Sequence, residues 1–374
     1  MPRANDPRVY TNELLNEALI PVAGQRVLAL GVAASQVSVW ASAVGKTGAM
    51  IAVTHWLPDW RALVQARQRH SGKALEPIFA ASLDGVGDEP FDACAIDIAA
   101  YPSKGALLRM TYAAAERLKP DGVLYAAGPK DMGILSFTKR LEALFGNAAT
   151  LAYRKGQRVL VAHRAGALTP LPVEDAPDHF TVELRGSTFV LERNPGVFAK
   201  GGVDDATAML IDALEITAND RVLDLGCGGG IVGMVAARLV PTQQVTMTDA
   251  DATALEVTRR NCAQNNITNT VIQEADVVDT IAEQRFTVVA CNPPFHQRHD
   301  HSPELVLRFM RAAAEVLLPG GHAYFVANRF LAYEGKLQEI FGNVKEVAGD
   351  ERYKVLCAVK AEPSAKSPTE KAAY

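Results

Sequence analysis

The sequence predicts an α/β protein with two similar domains, each a mostly parallel sheet covered by helices and closed by an antiparallel hairpin. Three observations support this prediction. Short apolar runs alternate with amphipathic stretches in both halves, which is typical of parallel sheets with helical crossovers. A length of 374 residues favours two domains over one. Similar segments also recur in the two halves at a nearly constant offset.

The second half contains five predicted strands, three predicted helices and a hairpin. The strands are RVLDL (221–225), QVTMT (244–248), TVIQEA (270–275), FTVVAC (286–291) and HAYFVAN (322–328). The helices are expected at 231–240, 251–265 and 304–318. The final stretch, 341–360, is predicted to be two strands joined by a Gly-Asp-Glu turn, which closes the sheet.

The two halves resemble each other in sequence. RVLALG (26–31) lies 195 residues before RVLDLG (221–226), and FDACAID (91–97) lies the same distance before FTVVACN (286–292). LFGNAATLAYRKGQRVLVAH (144–163) and IFGNVKEVAGDERYKVLCAV (340–359) match at a spacing one residue longer. We therefore interpret the halves as a duplication, rather than as unrelated α/β domains that share a composition.

The predicted domain limits follow from composition. Residues 1–164 form a first domain, a proline-rich linker occupies 165–180, and 181–360 form a second domain. The tail 361–374 is small, polar and interrupted by proline, so we expect it to be disordered.

Charge and cysteine usage narrow the functional classes. The net charge of −4 excludes a global basic field, so a nucleic-acid partner needs a local patch. The basic residues near the end of the first domain form a candidate RNA patch, with solvated surface as the alternative. They are Arg140, Arg154, Lys155, Arg158 and Arg164. The five cysteines are scattered without a C-x-x-C pair, which disfavours disulfides and zinc and favours a reducing cytosol.

Targeting and metal signals are weak. The N-terminus lacks the apolar core of a signal peptide, and no apolar run approaches membrane-spanning length. We therefore expect a soluble cytoplasmic protein with no membrane partner. His296, His299 and His301 lie on a polar stretch, where a solvated, substrate-facing loop is favoured over a metal site. We expect no metal.

A glycine-rich turn follows the first strand of the second half. LDLGCGGG (223–230) carries Asp224, Gly226, Gly228 and Gly230 and opens a predicted helix. Glycine lets a ligand approach the backbone, and a helix N-terminus offers free N–H groups. The third position of a dinucleotide fingerprint is occupied by Ile231, so the pattern is D-x-G-x-G and suits a ligand without pyrophosphate.

Two further acids follow the next strands. Asp249 ends the second strand, where a carboxylate accepts both hydroxyls of a ribose. Asp276 ends the third strand, where its carboxylate or the neighbouring backbone could hold an adenine amino group. Either acid alone is typical of a loop cap. Together with the glycine turn they predict a nucleoside-bearing cofactor at the carboxyl edge of the sheet.

The tetrapeptide Asn292-Pro293-Pro294-Phe295 follows the fourth strand. Its prolines prevent the sheet or a helix from continuing. The Asn292 side-chain oxygen and the Pro293 carbonyl can accept both hydrogens of a planar –NH₂ group, which directs its lone pair toward an electrophile. Phe295 can stack on the ring that carries the amine. The alternative is an ordinary proline-rich turn, which the neighbouring glycine turn and acids disfavour.

These residues resemble class I S-adenosylmethionine-dependent methyltransferases, in which an N-P-P-F loop marks enzymes that methylate exocyclic or amide nitrogens. NPGVFAKGGVDDATAMLIDAL (194–214), NPPFHQ (292–297), VANRFL (326–331) and the final hairpin resemble the RsmC/RlmG group of ribosomal RNA guanine-N2 methyltransferases. The resemblance is dense in motifs over 180–360 and architectural over 10–164. It implies two tandem Rossmann-like class I methyltransferase domains and S-adenosyl-L-methionine as the cofactor. It also implies that Phe198 lies beside the cofactor, with a core aromatic as the alternative role of this residue.

The first half has lost the proposed site residues. At the 195-residue offset the nine equivalent residues are Ala29, Ala33, Ser35, Thr54, Ala81, Asp97-Ile98-Ala99 and the retained glycine, Gly31. The apolar strand cores remain. We therefore expect a degenerate first domain that serves as a scaffold for RNA recognition.

The leading hypothesis is methyl transfer from S-adenosylmethionine to the exocyclic N2 of a guanine in ribosomal RNA, 16S or 23S. Free ribosomal RNA or a ribosomal subunit is the expected partner, and the enzyme is expected to be a monomer. One alternative is an N-P-P-loop methyltransferase acting on adenine N6 in nucleic acid or on a protein glutamine. Another is a non-catalytic RNA-binding or assembly protein.

Overall fold

The computed structural model describes residues 7–70, 74–169, 178–194, 197, 202–293 and 303–362. The chain divides into two compact units, each considered by itself below. The first unit contains the residues up to His179, with the segments 192–200 and 250–256. The second contains 180–191, 201–249 and the residues from 257 onward.

A seven-stranded sheet forms the centre of the first unit, with strand order β3-β2-β1-β4-β5-β7-β6. Its strands are β1 (Arg26–Leu30), β2 (Ala49–Thr54), β3 (Leu75–Phe79), β4 (Phe91–Asp97), β5 (Leu118–Pro129), β6 (Ala149–Arg154) and β7 (Gln157–His163). The α-helices of this part of the chain are α1 (Pro7–Ala18), α2 (Ala34–Val44), α3 (Leu57–Gln68), α4 (Lys104–Glu116) and α5 (Ile134–Phe145).

The second half of the chain repeats this architecture after a two-stranded sheet of β8 (Asp178–Leu184) and β9 (Ser187–Arg193). The seven-stranded sheet contains β10 (Val222–Leu225), β11 (Val245–Asp249), β12 (Thr270–Glu274), β13 (Phe286–Cys291), β14 (Leu317–Asn328), β15 (Lys345–Gly349) and β16 (Tyr353–Val359). The α-helices are α6 (Asp205–Ala213), α7 (Ile231–Leu239), α8 (Ala252–Gln264), α9 (Pro303–Val316) and α10 (Glu334–Phe341). Its strand order is β12-β11-β10-β13-β14-β16-β15.

The two large sheets have the same order and, in their parallel parts, the same register. Val27 pairs with Ala93 in the first sheet, and Val222 pairs with Val288 in the second, so both partners differ by 195 residues. Pairing is parallel except at the last strands, where β16 runs antiparallel to β14 and to β15. The predicted fold class, with its closing hairpins, is confirmed.

The central strands are buried because helices cover both faces of each sheet. All four residues of β10 are buried. Side chains alternate between the two faces of β1: Leu28 and Leu30 belong to one apolar cluster, whereas Val27 and Ala29 belong to another. Short continuous apolar runs in the sequence therefore corresponded to central strands.

Most predicted bounds in the second half agree with the structure to within one residue, and three elements differ by more. β14 begins at Leu317 rather than at 322, because the Pro319-Gly320-Gly321 segment lies within the strand and carries a register shift. The predicted helix 304–318 consequently ends at Val316. β8 begins at Asp178, within the segment 165–180 expected to be a linker, and its hairpin with β9 was not predicted.

A repeated Phe-Gly-Asn sequence has the same structural role in both halves. Gly146 and Gly342, with φ of 74° and 80°, end α5 and α10 in the left-handed conformation that favours glycine. The asparagine that follows forms hydrogen bonds with both backbone groups of one residue at the end of the last strand. Asn343 accepts the Val359 N–H at 2.8 Å and donates to the Val359 carbonyl at 2.8 Å, and Asn147 does the same at His163.

Over the described ranges, no helix combines the length and the hydropathy needed to cross a bilayer.

We expect Asn343→Ala to lower the free energy of unfolding by about 1–2 kcal/mol, because two backbone groups of Val359 lose their side-chain partner. Asn343→Asp retains the acceptor for the Val359 N–H and should lose less. Urea denaturation midpoints measure both changes. Unchanged midpoints in both variants would show that the hydrogen bonds between Asn343 and Val359 contribute no stability.

Candidate active site

The glycine turn connects β10 to α7 through three residues in left-handed conformation. Gly226, Gly228 and Gly230 have φ of 78°, 54° and 83°. The turn is attached to the neighbouring strand, because the N–H groups of Gly226 and Cys227 both donate to the Thr248 carbonyl at 2.9 Å. These positive φ values explain why the sequence has glycine at each alternate position.

Packing beneath the turn is also close. A Cβ at Gly230 would lie 2.6 Å from Cγ2 of Thr258 and 2.9 Å from Cε of Met247. A Cβ at Gly226 would lie 3.2 Å from the Phe309 ring. The second half therefore requires glycine for close approach as well as for backbone conformation.

Asp224 supports the turn from inside the sheet. Its side chain is 3% exposed, and its Oδ2 accepts the Gly233 N–H of α7 at 2.8 Å. The pKa of the Asp224 carboxyl is raised to about 7, mainly by burial and also by the nearby negative charge of Asp249, while the Gly233 hydrogen bond lowers it in part. The structure thus places Asp224 behind the turn.

Asp249 lies at the carboxyl end of β11, next to the turn. Its Oδ2 accepts the Gly228 N–H at 2.9 Å, and its side chain is partly exposed. The structure therefore brings together Asp249 and all three glycines of the turn. A carboxylate in this position can accept hydrogen bonds from a ligand held against the backbone.

Asp276 has a cationic partner that the sequence did not predict. Its carboxylate lies 3.1 Å from a guanidinium nitrogen of Arg308, on α9, and its N–H donates to Asp279 at 3.0 Å. Asp276 follows the end of β12 at Glu274. The carboxylate is thus part of an exposed ion pair at the same edge of the sheet.

Asn292 directly follows β13, and its side chain makes one hydrogen bond to a described residue. Its Nδ2 donates to Oγ1 of Thr207 at 2.8 Å. Its Oδ1 is buried and has no hydrogen-bond partner among the described residues. A buried polar oxygen without a hydrogen-bond partner lowers the stability of the fold. Such an oxygen in a binding site is therefore available to accept a hydrogen bond from a ligand. Pro293 is buried beside it.

Several predicted residues lie outside the described part of the chain. They are Pro294, Phe295, Phe198 and the three histidines His296, His299 and His301. In the part of the chain that the structure describes, no group of three or more His, Cys, Asp or Glu residues is arranged to hold a metal ion.

Helix α8 carries residues that sequence reasoning missed. Thr258 Oγ1 donates to the Gly228 carbonyl at 2.8 Å, and Asn261 Nδ2 donates to the Gly229 carbonyl at 2.9 Å. Both side chains are buried. Thr258, Asn261 and Asn265 are spaced to share one helix face, and this polar stripe was the available signal.

The basic cluster of the first unit is largely engaged internally. Arg154 pairs with Glu17 at 2.8 Å and approaches Glu13 at 3.7 Å. Lys155 lies over the Tyr10 ring, 4.5 Å from its centroid. Part of this basic cluster therefore makes contacts within the protein, which is evidence against a patch whose residues are all available to RNA.

The corresponding edge of the first unit is filled by protein. Residues after β4 form a short 3₁₀ helix, capped by Asp97, whose Oδ1 accepts the Ala99 N–H at 3.0 Å. A Cβ at Gly31, the equivalent of Gly226, would lie 2.3 Å from Cβ of Ala100. His55 Nε2 donates to the Ala100 carbonyl at 2.8 Å and holds this loop in place. The first unit therefore has the same fold, but protein atoms fill the carboxyl edge of its sheet.

Known proteins that this chain resembles identify its family. The model of the family described as "Methyltransferase small domain" matches residues 188–357. A ribosomal RNA small subunit methyltransferase C from Pseudomonas aeruginosa is 31% identical over 248 residues, which cover 64% of this chain and 71% of that protein. The chain belongs to the RsmC/RlmG group of methyltransferases.

Two further members of the group extend the comparison. A ribosomal RNA large subunit methyltransferase G from Klebsiella pneumoniae is 30% identical over 223 residues, 59% of this chain and 58% of that protein's length. The structure of a T. thermophilus 16S rRNA N2 G1207 methyltransferase (RsmC) in complex with AdoMet and guanosine matches with a TM-score of 0.79 and 26% identity. This structural match covers 96% of this chain and 92% of that one.

We expect the stability of the wild type to fall as pH rises from 4 to 7, relative to Asp224→Asn. The folded state keeps the Asp224 proton up to about pH 7, whereas the unfolded state loses it near the ordinary aspartate pKa of 3.8. Deprotonation of the unfolded chain therefore favours unfolding across this interval. A shift of this size corresponds to about 4 kcal/mol. Urea denaturation of both proteins at several pH values measures it, and parallel pH profiles would contradict it.

Proposed function

We propose that this chain transfers a methyl group from S-adenosyl-L-methionine to the exocyclic N2 of a guanine in ribosomal RNA, 16S or 23S. The main observation behind the proposal concerns Asn292 Oδ1, which lies at the same sheet edge as the glycine turn. This oxygen is buried and accepts no hydrogen bond from any described residue. Membership of the RsmC/RlmG group supports the same chemistry. We assign catalysis to residues 181–360.

The described residues fit this cofactor. The turn 226–230 is glycine except for the buried Cys227, so a ligand can lie against its backbone. Asp249 ends the adjacent strand, where its carboxylate can accept ribose hydroxyls. Asp224 holds the turn from behind through Gly233. In the bound enzyme the cofactor supplies an electrophilic methyl group on a sulfonium.

Asn292 acts on the other reactant. The lone pair of a guanine amino group is delocalised into the ring, which makes the nitrogen a poor nucleophile. Asn292 Oδ1 and the Pro293 carbonyl accept the two amino hydrogens and direct the lone pair out of the ring plane. These hydrogen bonds strengthen as positive charge develops on the nitrogen, so they stabilise the transition state more than the ground state. Phe295 provides a stacking surface for the base.

The substrate surface extends beyond the amine. Phe330 follows β14 at the same edge of the second sheet and is 82% exposed, so it offers a second aromatic face to RNA. We assign residues 1–164 to the positioning of the RNA, as a scaffold whose own edge is filled by Ala100. The protein acts as a cytoplasmic monomer.

The test is methylation of unmodified 16S and 23S ribosomal RNA transcribed in vitro, both free and assembled into subunits, with the modified base mapped and identified by mass spectrometry. We expect N2-methylguanine in one of the two RNAs. Asn292→Ala should lower the single-turnover rate by about a hundredfold or more, the scale of losing one preorganised transition-state contact. Methyl transfer only to adenine or to a protein glutamine, or none with bound cofactor, would contradict the proposal.

Asp249→Ala should weaken S-adenosylmethionine binding by about 1.5–3 kcal/mol, because the ribose loses a charged hydrogen-bond acceptor. Asp249→Asn retains an oxygen for the Gly228 N–H and should lose less. Isothermal titration calorimetry measures both affinities and the stoichiometry, which we expect to be one cofactor per chain. Unchanged affinity in both variants would remove Asp249 from the cofactor site.

A further inference from the structure

The amide of Asn292 has two chemically opposite ends. Oδ1 accepts hydrogen bonds, whereas Nδ2 donates two. The amide directs the lone pair of the reacting amine only when Oδ1 faces that amine. An Nδ2 in the same position would place its own hydrogens against the amino hydrogens. A rotation of half a turn about the last side-chain bond exchanges the two ends at almost no steric cost. Some feature of the protein must therefore select the orientation.

Thr207 and Asp204 supply this selection. Oγ1 of Thr207 accepts from Asn292 Nδ2 at 2.8 Å, and the Thr207 hydroxyl donates to Oδ2 of Asp204. The other carboxylate oxygen of Asp204 accepts the Thr207 N–H at 3.0 Å and caps α6. An ionised carboxylate only accepts, and a hydroxyl has a single proton. Once that proton is committed to Asp204, Thr207 can offer Asn292 only a lone pair.

We propose that Asp204 and Thr207 are positioning residues that fix the polarity of the Asn292 amide, so that Oδ1 faces the amine to be methylated. The inference rests on the proposed function, since it names how the amine-binding site is held. Thr207 is buried, which removes the competing water that would otherwise satisfy either end of the amide. The three residues thus form a hydrogen-bond relay with one direction: Asn292 to Thr207 to Asp204.

The first test separates the hydroxyl from the shape of the side chain. Thr207→Val keeps the branched shape and loses the hydroxyl, whereas Thr207→Ser keeps the hydroxyl. We expect Thr207→Val to lower the single-turnover methylation rate about tenfold to a hundredfold, as removal of a partner that orients a functional ligand does. Thr207→Ser should remain within a few-fold of wild type. Equal rates for Thr207→Val and wild type would overturn the proposal.

The second test reverses the polarity while keeping the helix cap. Asparagine is as good an N-cap as aspartate, so Asp204→Asn retains an oxygen for the Thr207 N–H. Its amide nitrogen then donates to Oγ1 of Thr207, which turns the hydroxyl proton toward Asn292. We expect Asp204→Asn to lower the rate at least as much as Thr207→Val. A wild-type rate would overturn the proposal.

A double-mutant cycle distinguishes positioning from general support of the fold. If Thr207 acts only through Asn292, then Thr207→Val should cause no further loss of rate in the Asn292→Ala background. A full additional loss would show a structural role and overturn the proposal. Thr217→Val is the matched control, because Asp220 likewise accepts the Thr217 N–H and hydroxyl, ahead of the amino end of β10. It should leave the rate and cofactor affinity unchanged.

A readout independent of catalysis completes the test. The side-chain ¹⁵NH₂ signals of Asn292, assigned by their absence in Asn292→Ala, should shift in Thr207→Val and Asp204→Asn and stay in place in Thr217→Val. Unchanged signals in all three variants would overturn the relay, whatever the rates. If the wild type methylates no guanine while these signals shift as expected, the proposed function fails and the selected amide orientation stands.

Discussion

The pairing of β10 with a parallel strand on each side is the constraint on which the second unit depends. β11 and β13 flank it, so the carboxyl ends of three strands reach one edge side by side. The glycine turn leaves the middle strand, Asp249 ends one neighbour, and Asn292 follows the other. The register matters as well, because the Thr248 carbonyl meets the N–H groups of Gly226 and Cys227 only where Leu225 pairs with Thr248.

The fold was largely predictable because its signals are local or repeated. Continuous apolar runs marked the central strands, and the 195-residue offset reappears as a shared register in the two sheets. The β8–β9 hairpin escaped prediction because β8 is mostly exposed and polar and begins beside a proline-rich segment. The early start of β14 escaped because Pro319 and two glycines are ordinarily found outside strands.

The site was predictable only in part, for a different reason. Gly226, Asp249 and Asn292 each follow or end a strand, so chain order alone places them at one edge. Thr207 joins Asn292 across 85 positions of sequence, and its Asp-Asp-Ala-Thr context indicates an ordinary helix cap. The pairing of Asp276 with Arg308 is equally non-local, and no pattern in either segment indicates the other.

The closed edge of the first unit has an evolutionary consequence. A carboxylate restored at position 29 would be buried within β1, and an asparagine restored at position 97 would exchange the cap of the loop, while Ala100 would still occupy the space beside Gly31. Each such step lowers or leaves unchanged the stability of the fold before any ligand can be held there. Single substitutions that reintroduce site residues in the first unit therefore gain neither a ligand contact nor stability, and several such changes would have to occur together.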